Sequence, residues 1–382
     1  EADVDSAVAA ARAAAPAWRA LGRTERRDLL GEIATVLDEH ALELGELETR
    51  QNGKLVREME GQMANLGDWY RHYASLIDAD RGSVVPVENK HGEMFSYVTQ
   101  EPYGVVGAIT PWNSPLLLTT WKLAPALPAG NTFVHKPSEQ TPVSALRLAE
   151  LLTEKTALPD GVYNVVTGAG ETGAALVQHE GVDKLAFTGS TATGRKIGAA
   201  AGRSITPVSL ELGGKSPNVL FPSANLDNAV NGVVKGIFAA TGQTCLAGSR
   251  VFVHESIYDS FLERFTSRAA DIEIGDPLDR TTQMGPVAFR EQWETVREYI
   301  ELGEREGATV AYGGSQPEEL PGECFLQPTV LVDVDNGMQV AREEIFGPVS
   351  SVIRFDDEDE LIAQANDTPY GLAAGVWTED YR

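Results

Sequence analysis

The chain has 382 residues with a formal net charge of −25, and 42% of its residues are hydrophobic. This length accommodates two domains with separate cores, and the hydrophobic content favours folded domains over disorder. The strongly acidic balance, with no basic stripe, argues against nucleic acids and anionic membranes as partners, because like charges repel.

Acidic side chains also occur in consecutive runs, as from Asp356 to Glu360. We interpret this as a halophilic-type surface, on which concentrated salt screens the repulsion between carboxylates. We therefore expect the melting temperature to rise when KCl is increased from low to molar concentration. A thermal melt across that series checks this expectation, and an unchanged melting temperature would contradict it.

Cysteine usage and apolar patterning indicate the cellular compartment of the protein. The two cysteines, Cys245 and Cys324, form no CxxC pair, which is typical of a reducing compartment and predicts a cytoplasmic location. Lys122 interrupts the most apolar stretch, so neither a signal peptide nor a membrane anchor is expected. The six histidines show no metal-ligand spacing, and no metal site is expected.

The first part of the chain has a helical pattern and is followed by a hairpin. Apolar residues on one face from Val4 to Trp18 predict a helix, and a second helix is predicted to start after an N-cap at Thr24. Residues 82–101 alternate apolar and polar side chains around Lys90-His91-Gly92-Glu93. This alternation predicts a β-hairpin.

Short apolar runs then alternate with helical stretches. The predicted strands of this first series are Val105–Thr110, Thr132–Lys136, Val162–Val166, Lys184–Thr188 and Val208–Leu212. A second series follows the Gly213-Gly214 break, with strands near Asn218–Phe221, Arg250–His254, Thr309–Tyr312 and Ser350–Phe355. This rhythm favours βαβ units, parallel sheets and an α/β fold, with a domain boundary near Gly213.

One of the two cysteines, Cys245, is a candidate nucleophile. Cys245 follows Thr241-Gly242-Gln243-Thr244 in a turn-prone stretch between a helix and a strand, where loops commonly carry functional residues. A single cysteine is more often a small buried hydrophobic residue, and this structural reading applies equally to Cys324.

Three further segments combine polar side chains with strand ends. Glu211 interrupts the apolar run Val208–Gly214, where a partly buried carboxylate must be hydrogen-bonded or paired, so it is either a base or part of a structural ion pair. Pro111 and Pro115 bracket Asn113 and restrict its backbone, although a simple turn explains them too. Residues 189–194 form a glycine-containing strand-to-helix turn suited to phosphate, without the GxGxxG fingerprint.

Six motifs occur together in one order along the chain. They are Pro111-Trp112-Asn113, Lys136-Pro137-Ser138-Glu139, Phe187-Thr188-Gly189-Ser190, Glu211-Leu212-Gly213-Gly214-Lys215, Gly242-Gln243-Thr244-Cys245 and Glu344-Ile345-Phe346-Gly347-Pro348. In this combination the chain resembles the aldehyde dehydrogenase superfamily along its whole length. The resemblance implies NAD(P)-dependent oxidation of an aldehyde to a carboxylic acid.

The resemblance also implies roles for individual residues. Cys245 attacks the aldehyde as a thiolate, and the Asn113 side chain with the Cys245 backbone N–H stabilises the oxyanion. Glu211 then activates a water that hydrolyses the thioester. Lys122, on the segment after Asn113, completes the implied catalytic set.

The cofactor is implied to be NAD, and NADP stays open as a second cofactor. Glu139 favours NAD, because a carboxylate that accepts hydrogen bonds from ribose hydroxyls repels a 2′-phosphate. The implied cofactor-binding residues, at or beside the matching motifs, are Ile109, Thr110, Pro111, Trp112, Lys136, Ser138, Glu139, Gly189, Ser190, Leu212, Glu344 and Phe346.

The aldehyde pocket is implied to be lined by Ser114, Leu118, Trp121, Thr244 and Leu246. Many family members have an aromatic residue where this chain has Ser114, and no particular aldehyde is predicted. The implied domains are a Rossmann-like dinucleotide-binding domain (1–81 and 102–212), a protruding oligomerisation hairpin (82–101) and a catalytic α/β domain (213–382). Family members usually begin further upstream and extend past Arg382, and a homodimer or homotetramer is implied for the full-length protein.

Two alternative functions remain open from the sequence. A CoA-acylating semialdehyde dehydrogenase would use the same cysteine but transfer the acyl group to CoA, and the presence of Glu211 argues against it. A catalytically silent relative that only binds the cofactor is the other alternative. Retention of Cys245, Glu211 and Asn113 argues against that reading.

Overall fold

The fold is described from a computed structural model, which covers residues 1–79, 82–88, 92, 94–320 and 324–380. The chain divides into two compact units. The first unit contains residues 1–48 and 60–211, and the second contains residues 49–59 and 212–382. In the described part of the chain, no helix is both long and apolar enough to cross a membrane.

The helices are amphipathic or largely buried, as the apolar periodicity predicted. In chain order they are α1 (Ala2–Ala20), α2 (Arg23–Glu39), α3 (Ala41–Asn52), α4 (Val56–Met63), α5 (Leu66–Leu76), α6 (Pro115–Ala126), α7 (Val143–Lys155), α8 (Gly170–Gln178), α9 (Thr191–Ser204), α10 (Leu226–Phe238), α11 (Tyr258–Ala270), α12 (Arg290–Glu306), α13 (Gln339–Arg342) and α14 (Glu358–Asn366). The predicted N-cap at Thr24 is wrong. The N-cap of α2 is Gly22, whose N–H donates to Glu25 Oε2 at 2.8 Å.

The strands form one short pair and two larger sheets. They are β1 (Ser83–Val85), β2 (Ser96–Val98), β3 (Val105–Ile109), β4 (Thr132–Lys136), β5 (Tyr163–Val165), β6 (Lys184–Thr188), β7 (Val208–Glu211), β8 (Pro217–Leu220), β9 (Arg250–His254), β10 (Thr309–Tyr312), β11 (Thr329–Val332), β12 (Val349–Phe355) and β13 (Gly375–Trp377).

The sheet of the first unit is entirely parallel, with the order β5-β4-β3-β6-β7. Its first strand, β3, is central, and the chain then adds strands on one side before it crosses to the other. This is the order of doubly wound, Rossmann-like sheets, which bind ligands where the direction of strand addition reverses, here between β3 and β6. The predicted α/β fold with a Rossmann-like sheet is confirmed.

One core cluster of the first unit brings helices onto this sheet. All five residues of β4 are buried, as expected for a strand that is covered on both faces. The cluster joins α1, α2, α5, α6 and α7 to β3 and β4 through residues that include Trp18, Leu30, Tyr70, Val106, Leu123, Phe133 and Leu148. Burial of these apolar side chains stabilises the unit by roughly 1.5–3 kcal/mol for each large side chain.

The sheet of the second unit is mixed, with the order β10-β11-β12-β9-β8-β13. Its other strand pairs are parallel, whereas β10 and β11 are antiparallel. No helix is described between β10 and β11, and a parallel connection requires a crossover, so the antiparallel pairing follows. The apolar pattern of the sequence did not predict β11 or β13.

Residues 49–59 belong to the second unit, although the sequence analysis placed them in the first domain. Val56 N–H donates to Pro277 O at 2.9 Å. Gly53 has a φ of +74°, and a Cβ at this position would lie 2.8 Å from Pro286 Cγ. These contacts tie the segment to residues far along the chain.

The predicted hairpin contains the antiparallel pair β1 and β2, in which Val84 lies opposite Tyr97. Both side chains are 64% exposed, and Phe95 is 74% exposed. Lys90, His91 and Glu93 of the predicted turn lie outside the described residues, as do residues 381 and 382 at the end of the chain. The role of the hairpin in oligomerisation stays a prediction.

Candidate functional site

The turn that carries Asn113 follows the central strand of the first sheet. β3 ends at Ile109 and α6 begins at Pro115, with Ser114 as its N-cap residue. Thr110 N–H donates to Lys136 O at 3.2 Å. Asn113 is only 6% exposed. The amide is therefore buried at the carboxyl edge of the sheet, beside the point where the strand order reverses.

The turn is also fixed from a neighbouring loop. Thr141 Oγ1 donates to Trp112 O at 3.4 Å. Pro111 and Trp112 are half-buried, and Thr110 is buried. A turn with prolines at both ends and hydrogen bonds on its backbone has little freedom to move.

Helix α6 presents a mixed surface after this turn. Ser114 and Leu118 are buried, whereas Trp121 is 41% exposed. The Trp121 ring contacts the Trp69 ring, with centroids 5.9 Å apart and a 60° angle between the planes. Trp69 adds an aromatic surface beside the predicted pocket residues, which the sequence analysis did not identify.

Lys122 reaches from α6 to the end of β6. Its Nζ donates to Thr188 Oγ1 at 2.5 Å. Burial lowers the pKa of Lys122 to about 8, and the negative charge of Glu211 opposes this shift. Thr188 lies opposite Glu211 in the register of β6 and β7. The structure therefore brings an amine that titrates near neutral pH close to a carboxylate.

Glu211 is the last residue of β7, the edge strand of the first sheet. Its carbonyl accepts a hydrogen bond from Gly189 N–H at 3.1 Å, but its side chain is exposed. The expectation of a partly buried carboxylate was wrong, because Glu211 and Ser209 lie on the same face of β7 and both are exposed. The Glu211 side chain is therefore accessible to water.

Lys136 and Glu139 form an ion pair at the end of β4. Lys136 Nζ lies 3.0 Å from Glu139 Oε2, and the two side chains are 5% and 48% exposed. Partial desolvation opposes ionisation of Glu139, but its own backbone N–H and the Lys136 ammonium outweigh it and lower the pKa. Ser138, between them, is buried. The lowered pKa favours an ionised Glu139, whose side chain is about half exposed, as a ribose-binding carboxylate must be.

The turn after β6 leads into α9, and the first N–H groups of a helix have no acceptor within the preceding turn of that helix. Ser190 is the N-cap of α9, and its Oγ accepts from Thr193 N–H at 3.3 Å. A Cβ on Gly189 would lie 2.5 Å from the Phe187 ring, so only glycine fits here. A helix N-terminus that follows a strand in this position suits a phosphate.

Cys245 lies in the second unit, in a loop with unusual backbone geometry. Ala240, Thr241 and Gly242 all have φ between +52° and +68°. Thr241 Oγ1 donates to Gly285 O at 3.1 Å. A Cβ on Gly242 would lie 2.1 Å from Gly347 O. Left-handed residues with such close backbone contacts hold a loop in one conformation, at a cost in strain.

The residues around the cysteine are held as well. Gln243 is fully buried, and its Oε1 accepts from Ala288 N–H at 2.9 Å. Cys245 and Thr244 are half-buried, and Leu246 is 50% exposed. A Cβ on Gly214 would lie 2.6 Å from Cys245 O. The thiol is thus on a rigid loop that retains some access to solvent.

Glu344 lies against the glycines that begin the second unit. Gly214 N–H donates to Glu344 Oε1 at 3.1 Å, and a Cβ on Gly213 would lie 2.1 Å from Glu344 Oε2. Burial raises the pKa of Glu344. Leu212 and Phe346 are half-buried, and Phe346 has a φ of +57°. The backbone of 213–214 fixes the direction of this carboxylate.

The predicted site residues therefore form two groups. The first unit holds those at the carboxyl ends of β3, β4, β6 and β7, in the turns after β3, β4 and β6, and on α6, and the second unit holds Leu212, Thr244, Cys245, Leu246, Glu344 and Phe346. Among the described residues, no group of three or more histidine, cysteine, aspartate or glutamate side chains is arranged to hold a metal ion.

Comparison with known proteins decides the family. A family model described as the aldehyde dehydrogenase family matches residues 1–382. The chain belongs to the aldehyde dehydrogenase family. It is an oxidoreductase of this family, and the resemblance drawn from the six motifs is confirmed.

Individual relatives support the assignment of this aldehyde dehydrogenase. It is 46% identical to a betaine aldehyde dehydrogenase of Brucella anthropi over 381 residues, which are 99% of this chain and 77% of the relative. The structure of an NAD⁺ complex of aldehyde dehydrogenase from Bacillus cereus matches with a TM-score of 0.95 at 43% identity, covering 99% of this chain and 77% of that chain.

A betaine aldehyde dehydrogenase from Staphylococcus aureus, solved in complex with NAD⁺, matches with a TM-score of 0.96 at 38% identity. The match covers 100% of this chain and 76% of that chain. The fold of this aldehyde dehydrogenase is therefore the same as that of relatives that carry a bound dinucleotide.

Besides Trp69, two further residues near the site were not identified from the sequence. Thr188 accepts the hydrogen bond from Lys122, and the motif Phe187-Thr188-Gly189-Ser190 contained it without indicating a role. His135 is fully buried in β4. The available signal was a titratable side chain inside an otherwise buried strand, where a polar group must find partners.

Proposed function

We propose that this chain oxidises an aldehyde to a carboxylic acid, with NAD⁺ as hydride acceptor and a thioester on Cys245. Membership of the aldehyde dehydrogenase family over the whole chain carries the proposal. The Cys245 loop supports it, since a half-buried thiol on a rigid backbone is suited to repeated attack on a carbonyl carbon.

The first step forms a carbon–sulfur bond. The Cys245 thiolate attacks the aldehyde carbon, and the carbonyl oxygen takes the electron pair and becomes an alkoxide. The buried Asn113 amide and the Cys245 backbone N–H donate hydrogen bonds to this oxygen. A well-placed donor of this kind contributes roughly 3–4 kcal/mol to transition-state stabilisation.

Each unit, taken by itself, contains residues that suit part of a dinucleotide. The N-terminus of α9 offers N–H groups to a pyrophosphate beside Ser190, where a Cβ on Gly189 would clash. Glu139, oriented by Lys136, suits the hydroxyls of one ribose, and Glu344, held by Gly214 N–H, suits those of the other. When bound, NAD⁺ supplies a nicotinamide that accepts a hydride from the alkoxide, which leaves a thioester on Cys245.

The last step consumes water. Glu211 takes a proton from the water, the water oxygen attacks the thioester carbon, and the carbon–sulfur bond breaks to release the acid and the Cys245 thiolate. Exposure of Glu211 on the edge strand favours this role, because both water and bulk protons reach it. Lys122 holds its ammonium near this carboxylate through Thr188 and exchanges protons in the neutral pH range.

The direct test is an assay of the wild-type chain in molar KCl with betaine aldehyde, an aliphatic aldehyde and an aromatic aldehyde. We expect NADH and the corresponding free acid in equal amounts from at least one of them. A parallel reaction with CoA separates hydrolysis from acyl transfer. Acyl-CoA as the main product would show that the acyl group is transferred to CoA and not to water. Bound NAD⁺ with no NADH from any aldehyde would favour a catalytically silent relative.

Cofactor preference depends on Glu139. The wild-type chain is expected to give a higher kcat/KM with NAD⁺ than with NADP⁺, because the Glu139 carboxylate repels a 2′-phosphate. Glu139→Gln should lower the ratio of kcat/KM with NAD⁺ to kcat/KM with NADP⁺ by roughly tenfold. A tenfold change corresponds to the loss of about 1.4 kcal/mol of repulsion. Glu154→Gln, which changes an exposed charge on α7, is the matched control. A wild-type ratio that favours NADP⁺ would overturn this assignment.

A further inference from the structure

The buried side chain of His135 contacts polar groups through both ring nitrogens. Its Nε2 lies 2.8 Å from Thr110 Oγ1 and 3.3 Å from Thr119 Oγ1. Its Nδ1 lies 3.1 Å from Tyr163 OH, and the two rings stack with centroids 6.2 Å apart. A histidine with this many partners is held in one orientation.

A single tautomer satisfies every one of these contacts. With the proton on Nε2, the ring donates to Thr110 Oγ1 and, more weakly, to Thr119 Oγ1, while Nδ1 accepts from the Tyr163 hydroxyl. Burial, and then the nearby ammonium groups of Lys122 and Lys136, lower the pKa of His135 to about 3. The ring is therefore neutral near neutral pH, which agrees with the single-tautomer pattern of contacts.

The two threonines lie on opposite sides of the turn that carries Asn113. Thr110 comes directly after β3, and its N–H donates to Lys136 O at 3.2 Å. Thr119 is in the first turns of α6, and its Oγ1 donates to Pro115 O at 2.7 Å. One ring nitrogen thus connects the strand before the turn with the helix after it.

We propose that His135 is a positioning residue, which holds Thr110 and Thr119 together and thereby fixes the direction of the Asn113 amide. The role of Asn113 in this inference rests on the proposed function. The rigidity of the turn does not depend on it. A donor must already point at the developing charge, because reorienting it during the reaction costs free energy that lowers the rate. His135 keeps the Asn113 amide in this direction through the two threonines and does not contact the substrate itself.

The rigidity of the turn is tested without catalysis. Hydrogen–deuterium exchange by mass spectrometry should show about tenfold faster exchange in peptides covering 110–119 of His135→Met than in the wild type, with the other peptides of the first unit unchanged. His72→Met replaces an exposed histidine on α5 and serves as the control. Unchanged exchange in 110–119, or faster exchange throughout the unit, would show that His135 only fills the core.

The effect on the reaction is tested by a double-mutant cycle. His135→Met should lower kcat about tenfold and leave the KM for NAD⁺ within about twofold. The same change should cost less than about twofold in an Asn113→Ala background, since the amide that it orients is already gone. Equal losses in both backgrounds would overturn the positioning role.

Two further variants keep the test decisive. His135→Gln retains a donor near the Nε2 position, and we expect it to recover most of the lost kcat. Tyr163→Phe combined with His135→Met removes the hydroxyl that the single variant leaves unsatisfied, which protects folding. If the wild type oxidises no aldehyde, the proposed function fails, and the exchange experiment still decides whether His135 holds the turn.

Discussion

Replacement of Cys245 by serine is expected to lower NADH formation from aldehydes by at least about a thousandfold. A serine hydroxyl stays protonated at neutral pH, whereas a cysteine has an accessible thiolate form and is the stronger nucleophile. The substitution removes little volume, and Thr241, Gln243 and the close approach of Gly214 hold the loop. NAD⁺ binding, measured by calorimetry, should therefore change little.

The other cysteine provides the matched control. Cys324 is also half-buried and has a φ of +76°, so Cys324→Ser makes the same chemical change in the same unit. We expect Cys324→Ser to keep wild-type activity. Retention of more than about a tenth of the activity by Cys245→Ser, or its loss in Cys324→Ser, would contradict the assignment of the nucleophile.

Replacement of Glu211 by glutamine is expected to separate the two halves of the reaction. Oxidation does not require the carboxylate, so one NADH per active site should form rapidly. Hydrolysis does require a base, and the steady-state rate should then fall by about a hundredfold or more, within the usual range for a lost general base. Stopped-flow absorbance of NADH resolves the burst from the slow phase.

The choice of glutamine keeps the size of the side chain on the exposed end of β7. Glu171→Gln, which removes an exposed carboxylate from α8, controls for the loss of one negative charge. Full steady-state turnover by Glu211→Gln would end the assignment of this residue as general base. Loss of the burst as well would place Glu211 in the oxidation step instead.

The sheets show what apolar patterning determines and what it leaves open. The strands of the first sheet were predicted to within about one residue at each end, and the two strands β3 and β4, with runs such as Val105-Val106 and Phe133-Val134, are largely buried. β13 forms only three residues of pairing with β8, and Val376 in it is 59% exposed. Local pattern alone does not identify such a strand, because its stability depends on the neighbouring strand.

The motifs identified individual site residues, but they did not identify the residues that contact them in the fold. Lys122 and Thr188 lie 66 positions apart, and their hydrogen bond exists because α6 and β6 meet at the same edge of the first sheet. His135 meets Tyr163 because β4 and β5 pair with His135 opposite Val165. Contacts of this kind follow from sheet order and register, which six linear motifs do not encode.

The expected partial burial of Glu211 was the main wrong prediction about the local environment of a site residue. The run Val208–Leu212 suggested a buried strand, but β7 is the edge of its sheet, and two of its four residues are exposed. Strand order decides which strand is at the edge, and the sequence of one strand does not reveal that order. An exposed base also fits a hydrolytic step better than a buried one, because water must reach it.

Trapping of the covalent intermediate tests the central claim most directly. Glu211→Gln should be mixed with an aldehyde and NAD⁺, quenched in acid during the burst, digested and examined by mass spectrometry. The account predicts an acyl group, at the oxidation level of the acid, on the peptide that contains Cys245. An unmodified Cys245 peptide after a full burst of NADH, or the acyl group on Cys324, would contradict it.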